Sequence, residues 1–297
     1  MAVYIIQDST LSGIADAIRD KTGRTEAISV SNMASEIEGI SAGSAGSLEK
    51  EIVEGTITEY INENIESVCM YAFYLNSKLE HVSLPNCSII DYGAFERCTS
   101  LTTANFPACT TISNAAFCDC TALTTANFPA CTTISSRAFH SCTSLTTVNF
   151  PACTSIGGSA FYNCKSLTTA SFPACSIIGY AAFYSCKSLT TANFPACTTI
   201  NSSAFNRCTS LTTASFPACT TISSSAFYSC TSLASLILNN SSVVTLADYG
   251  AFISTPLSQS NYLGKFGSIY VPSSLVASYK AARNWSKYSR RITSIVE

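Results

Sequence analysis

The cysteines carry the most chemical promise in this chain. There are 16 of them among 297 residues, beside only two histidines, His81 and His140. A thiol can bridge, ligate a metal or act as a nucleophile, and its spacing and surroundings decide which. Seven lie two residues after a proline position: Cys87, Cys109, Cys131, Cys153, Cys175, Cys197 and Cys219. Seven more lie eleven residues farther on: Cys98, Cys120, Cys142, Cys164, Cys186, Cys208 and Cys230. Only Cys69 and Cys118 fall outside these two series. The nearest approach to a metal set is Cys118-x-Cys120 followed by His140-x-Cys142. Three thiolates and one imidazole suit zinc. However, Cys120 and Cys142 belong to a regular series, and residues two apart along the chain can point differently. The expectation is therefore no metal and no cofactor. Catalysis finds as little support. Between Leu101 and Leu233 the formal charges are Asp119, Arg137, Lys165, Lys187 and Arg207, so no acid and base pair appears. There is no glycine-rich phosphate loop and no nucleophile elbow. The chain reads as no enzyme.

What positions the cysteines is a repeat. The same skeleton returns every 22 residues from Leu79 through Leu101, Leu123, Leu145, Leu167, Leu189, Leu211 and Leu233. A fixed period of this length marks a solenoid, in which one coil cannot bury its own apolar side chains but a stack can. Equivalent residues of successive coils then lie about 4.8 Å apart. A disulfide needs Cβ atoms about 3.8 Å apart and converging. Cys109, Cys131, Cys153, Cys175 and Cys197 are thus expected to form one column of free, buried thiols. Cys120, Cys142, Cys164, Cys186 and Cys208 are expected to form another. Free thiols favour a reducing compartment for folding.

Within Leu101 to Cys120, the residues Leu101, Ala104, Phe106 and Cys109 follow the L-x-x-L-x-L-x-x-N/C spacing of a leucine-rich repeat. Ala104 and Phe106 alternate with Thr103 and Asn105, which predicts a short strand with the first pair facing in. Pro107 ends it. Ile112, Ala116 and Phe117 supply the apolar side of a returning arm too short for a long helix. The unit F-P-x-C-x-x-I-x-x-x-A-F-x-x-C-x-S-L resembles the BspA-like class of bacterial leucine-rich repeats over about Ile57 to Ser242. The stretch Ser268 to Ile295 resembles the cap that closes such arrays. The resemblance implies an α/β repeat solenoid, a right-handed coil with short parallel strands on one face, and a binding or adhesive role without catalytic residues.

The ends differ from the array. Residues 1–40 predict a small helical hairpin, capped at Ser9 and Ser31. Residues 41–47 read as a flexible linker. Residues 48–78 read as a degenerate cap coil with Glu49, Lys50, Glu51 and Glu54 guarding the open edge. The array spans 79–242, and 243–297 form a C-terminal cap with an inserted loop and a helix near 274–283. The segment from Thr10 to Ile40 resembles N-terminal modules of phage tail-associated proteins. That similarity implies a place in a phage virion and contact with a bacterial surface; a hairpin this small is unstable without packing or oligomerising, which leaves room for a homo-oligomer through residues 1–40. The start, MAVYIIQDSTLSGI, lacks a basic region before a long apolar core, so no signal peptide is expected and synthesis is cytoplasmic. No clustered Lys and Arg point to nucleic acid, and no apolar run is long enough for a membrane span.

Function is sought where the coils differ. The residue after the second phenylalanine is Tyr74, Glu96, Cys118, His140, Tyr162, Tyr184, Asn206 and Tyr228. Tyr74, His140, Tyr162, Tyr184 and Tyr228 are the candidate ligand-binding residues, since tyrosine joins contact area to a polar tip. The same residues also serve simply to cover a corner of the coil. The functional expectation is a non-enzymatic recognition or structural solenoid with a protein or glycan ligand. A bacterial cell-surface adhesin and an intracellular protein-binding scaffold are the rival readings.

Overall fold

The computed structural model describes residues 57–258 and 266–295. Every coil of the array spends its residues alike, and Leu101 to Cys120 shows how. A three-residue strand, Thr103–Asn105, buries Ala104 and exposes its neighbours. The chain then turns, with the Cys109 amide donating to the Phe106 carbonyl at 3.1 Å. Pro107 takes the second place of this turn, where its fixed φ helps and its missing N–H costs nothing. A two-residue strand, Thr111–Ile112, buries Ile112.

From Ser113 to Cys120 the arm is a string of tight turns. Alternate amides close them: Ala116 donates to Ser113, Cys118 to Ala115 and Cys120 to Phe117, at 2.9–3.3 Å. The amides between reach the next coil: Ala115 to Ser136, Phe117 to Ala138 and Asp119 to His140, at 2.7–3.0 Å. An α-helix would turn its amides onto its own chain and leave none for the neighbour. The path places Ala115 and Asp119 at φ 57° and 58°, and the same two places recur as Arg137 and Ser141, Ser159 and Asn163, Ser203 and Arg207. Such non-glycine residues are strained, and the bonds to the next coil hold them there.

Strands pair in parallel at a shift of one coil, as in Thr103↔Thr125 and Thr111↔Thr133. The sequence leads one to expect strands on one face, and the structure has them on two. The short strands form one nine-stranded sheet from Ser67–Val68 to Thr245–Leu246. Two residues are too few for alternation to register, which hides this sheet in the sequence. The long strands form two sheets. One has five strands and ends at Thr147–Asn149, and the other has six and starts at Thr169–Ser171. At the break the inward residue is Val148, where the neighbouring coils hold Ala126 and Ala170. Val148 is only half-buried, and Phe150 lies 6.0 Å from Phe172 at 15°, against 5.3 Å and 3° from Phe128.

The core is built from columns. The Phe106 series and the Phe117 series each stack on themselves, as Phe106 on Phe128 at 5.3 Å and Phe117 on Phe139 at 5.2 Å. The two series meet edge to face, as Phe117 with Phe128 at 66°. Both are favourable aromatic arrangements. The thiols are free, and all but Cys69 are buried. Cys120 donates to the Phe95 carbonyl at 3.0 Å and Cys142 to Phe117 at 3.1 Å, each reaching the preceding coil. Cys109 and Cys131 instead donate within their own coil, to Thr111 and Thr133 at 3.3 Å. Threonine clamps the coils from outside: Thr124 Oγ1 donates to the Thr102 carbonyl at 3.0 Å and Thr132 Oγ1 to Thr110 at 3.2 Å.

Beyond residue 242 the coil continues with two extra residues, since Thr221 pairs with Thr245. Phe252 stacks on Phe227 at 5.5 Å. The helix, Val276–Ala281, follows a 3-10 turn at Ser273–Leu275. Tyr279 and Trp285 close the end: Trp285 Nε1 donates to the Val244 carbonyl at 2.6 Å, and the Val244 amide donates to the Tyr279 hydroxyl at 3.1 Å. The strands Ser268–Val271 and Ile292–Ser294 extend the long-strand sheet over the last coil. The predicted hairpin at 1–40, the linker and the acidic edge residues Glu49, Glu51 and Glu54 lie outside the described residues.

Candidate functional site

The residue after the Phe117-type phenylalanine is held by backbone on both sides. The Tyr162 amide closes a turn onto Ser159 at 3.1 Å, and its carbonyl accepts from the Ser141 amide at 2.7 Å. Tyr184 repeats this with Ala181 and Asn163, at 3.1 and 2.7 Å. Fixing successive Cα atoms at the coil spacing forces their flat side chains to stack. His140 lies 4.8 Å from Tyr162 and Tyr162 lies 4.7 Å from Tyr184, each pair within 2° of parallel. The Arg207 guanidinium, 5.9 Å from the Tyr184 centroid, closes the far end as a cation over a ring. All three rings are half-buried.

Two of the candidate tyrosines stand apart. Asn206, buried, interrupts the column before Tyr228. Tyr74 packs edge-on against Tyr71 at 5.3 Å, and Tyr71 meets Tyr92 at 5.1 Å, which makes a separate aromatic group near the first described coil. Tyr71, Tyr92 and Arg207 escape a reading of the tyrosine column alone. Arg207 sits at a place that four coils fill with Ser or Asn, at Ser141, Asn163, Ser185 and Ser229, and that earlier coils fill with Leu75, Arg97 and Asp119, so comparing coil with coil marks it as one of the variable positions.

At the other end of the stack His140 meets Cys118 and Asp119. Burial pushes the Cys118 thiol up to about 11; Asp119 adds to this and Arg137, whose Nη2 lies 3.9 Å away, opposes it. Burial, with help from Arg137, holds the His140 imidazole below its ordinary range, so it is neutral at pH 7. The set Cys118, Cys120, His140 and Cys142 is not assembled, because the Cys120 and Cys142 thiols donate to interior carbonyls. Instead the donor atoms of Cys118, Asp119 and His140 all lie within 4.8 Å of one another. His81 is elsewhere, on an exposed strand with Nδ1 2.9 Å from Thr103 Oγ1.

The long-strand face offers little variety. Asn149 Nδ2 donates to Asn127 Oδ1 at 2.8 Å and Asn127 Nδ2 to Asn105 Oδ1 at 3.2 Å, so the amides largely satisfy one another. Among the described residues no helix is long and apolar enough to cross a membrane.

The family profile of the BspA type leucine rich repeat region matches in six copies, over residues 56–168 and 154–272. No curated protein matches the chain. Similar solved structures include a leucine rich cell surface protein from Faecalibacterium prausnitzii, 20% identical, with a TM-score of 0.46 over 80% of this chain and 78% of that one. A leucine rich repeat protein from T. pallidum is 22% identical, with a TM-score of 0.37 over 66% and 76%. An internalin from Listeria monocytogenes is 15% identical, with a TM-score of 0.41 over 92% and 79%. The segment that resembles phage tail modules lies outside the described residues. Recurring in register through most of the sequence, the 22-residue coil makes this chain a member of the BspA type leucine-rich repeat family.

Proposed function

We propose that the chain is a non-enzymatic scaffold that recognises a macromolecular partner, a protein or a glycan, along the corner formed by His140, Tyr162 and Tyr184. The observation that carries this reading is the ring stack itself. The coils are nearly identical on the long-strand face and differ on this corner, so the corner holds the information a partner can read. Repeat proteins of this kind present extended binding surfaces.

The stack also limits the mode of recognition. The facing surfaces of the three rings are turned onto one another and Arg207 covers the far face of Tyr184, so a ligand along the stack meets ring edges and the Tyr162 and Tyr184 hydroxyls. Among the described residues neither hydroxyl has a hydrogen-bond partner. Recognition then runs through edge contacts and hydroxyl bonds, not through a sugar laid flat on an aromatic face.

The test is a screen of the full chain against immobilised glycans and intact bacterial cells, repeated with Tyr162→Ser/Tyr184→Ser. Interface tyrosines contribute about 1–2 kcal/mol or more each, so binding is expected to weaken at least about tenfold. Tyr162→Phe/Tyr184→Phe keeps the stack and removes only the hydroxyls, and is expected to weaken binding in part. Undiminished binding by a folded serine variant would move the site off this corner.

A further inference from the structure

Three metal-ligating side chains meet at the Cys118 end of this corner, and the repeat itself does not require any of them. Cys118 belongs to neither cysteine series. Asp119 is the one aspartate, and His140 the one histidine, between Leu101 and Leu233. From Tyr162 onward the coils fill the same two places with Tyr or Asn and with Ser, Asn or Arg, while the two coils before Cys118 hold Tyr74 and Leu75, then Glu96 and Arg97. Three departures from the repeat therefore meet at one point, and each is a residue type that binds metal.

We propose that Cys118, Asp119 and His140 form a binding site for one divalent ion of the zinc class. Their sulfur, carboxylate oxygen and imidazole nitrogen already lie within 4.8 Å of one another. A tetrahedral ion with bonds of about 2.0–2.3 Å needs donors roughly 3.3–3.7 Å apart. Side-chain rotation closes that difference, because the coils themselves are fixed. The Asp119 amide donates to the His140 carbonyl at 2.8 Å, and the Phe117 and Phe139 rings stack beneath. Ser141 Oγ, 3.1 Å from His140 Nδ1, is the kind of outer contact that orients a ligating imidazole.

The donor set selects the ion. One sulfur, one nitrogen and one oxygen suit zinc or cobalt and not magnesium or calcium, which prefer oxygen alone. On binding, the S–H proton leaves to solvent and a sulfur–metal bond forms, with no change of oxidation state. The charges nearby accommodate this. Thiolate, Asp119 and Glu96 are negative, while Arg97 and Arg137 are positive. Both arginines are exposed and only loosely held, Arg137 by its 3.9 Å contact to the Cys118 sulfur. The present Arg97–Asp119 contact, 3.8 Å long with half-exposed side chains, is a weak competitor. Three protein donors leave the fourth position to water or to a group on a partner. The site stands whether or not the tyrosine corner binds a ligand.

Titrating the full, reduced, metal-free chain with Co²⁺ tests it. The expected result is one cobalt per chain, an intense near-ultraviolet thiolate-to-cobalt band, and its displacement by Zn²⁺. The band should vanish in Cys118→Ser and persist in Cys69→Ser. Asp119→Asn, at a partly exposed side chain, should weaken cobalt binding at least about tenfold even if the serine variant fails to fold. Absence of the band in the unmodified chain, its survival in folded Cys118→Ser, or unchanged affinity in Asp119→Asn would each overturn the site.

Discussion

A thiol is small enough to fill a corner slot and polar enough to satisfy one carbonyl there, which suits both cysteine columns. The columns were legible from spacing alone. Their carbonyl partners were not, because the Cys120 bond reaches a residue 25 positions back, in another coil. The thiols give the fold a defined weakness to alkali. Burial pushes Cys131, Cys175, Cys197 and Cys219 up to about 12 and Cys153 to about 11. In the unfolded chain they ionise near 8.5. Below that pH both states keep their protons and stability is flat. Above it the unfolded state loses protons that the folded state retains, so each thiol favours unfolding by about 1.4 kcal/mol per pH unit. The effect continues until the folded values are reached. Urea midpoints measured from pH 7 to pH 10.5 should hold steady to about pH 8 and then fall steeply. A level profile to pH 10.5 would contradict the buried columns.

The elements were legible in proportion to their length. Thr103–Asn105 shows its alternation in three residues plus Phe106, whereas Thr111–Ile112 is too brief to show any. The returning arm was hidden for a different reason. At the first of its two positive-φ places the chain has Ala115, Arg137 and Ser159, not the glycine or asparagine that usually announce such a place. Inter-coil hydrogen bonds override the local preference. Gly93 is the exception, at φ 57°, and it lies beneath the Tyr71 ring. A Cβ added there would come within 2.5 Å of Tyr71 Cε1. Other coils carry side chains at this place at the cost of backbone strain, so what is particular to Gly93 is the added conflict with the ring. Gly93→Ala should destabilise by about 1–2 kcal/mol in chemical denaturation. In a Tyr71→Ala background the same change should cost much less.

At the scale of the whole molecule, the 22-residue period gave the solenoid and its columns, but not the interruption between Asn149 and Thr169. The half-buried Val148 marks that interruption, between coils that hold Ala126 and Ala170, although Val82 and Leu236 fill the same place in paired strands. Val148→Ala should let the two long-strand sheets join. Unlike most losses of apolar bulk, it should leave the melting temperature unchanged or raise it. The Thr168 amide, unprotected at the interruption, should exchange with solvent more slowly in the variant. Unaltered exchange at Thr168 would mean that something other than Val148 holds the strands apart. Across the same junction the short strands remain paired, Ser155 with Ile177 and Ile156 with Ile178. One flank is thus continuous while the opposite one is slit, like a book bound along its spine. Bending is easiest by opening or shutting that slit, and the tilt between the two halves can follow the contour of whatever surface the molecule meets.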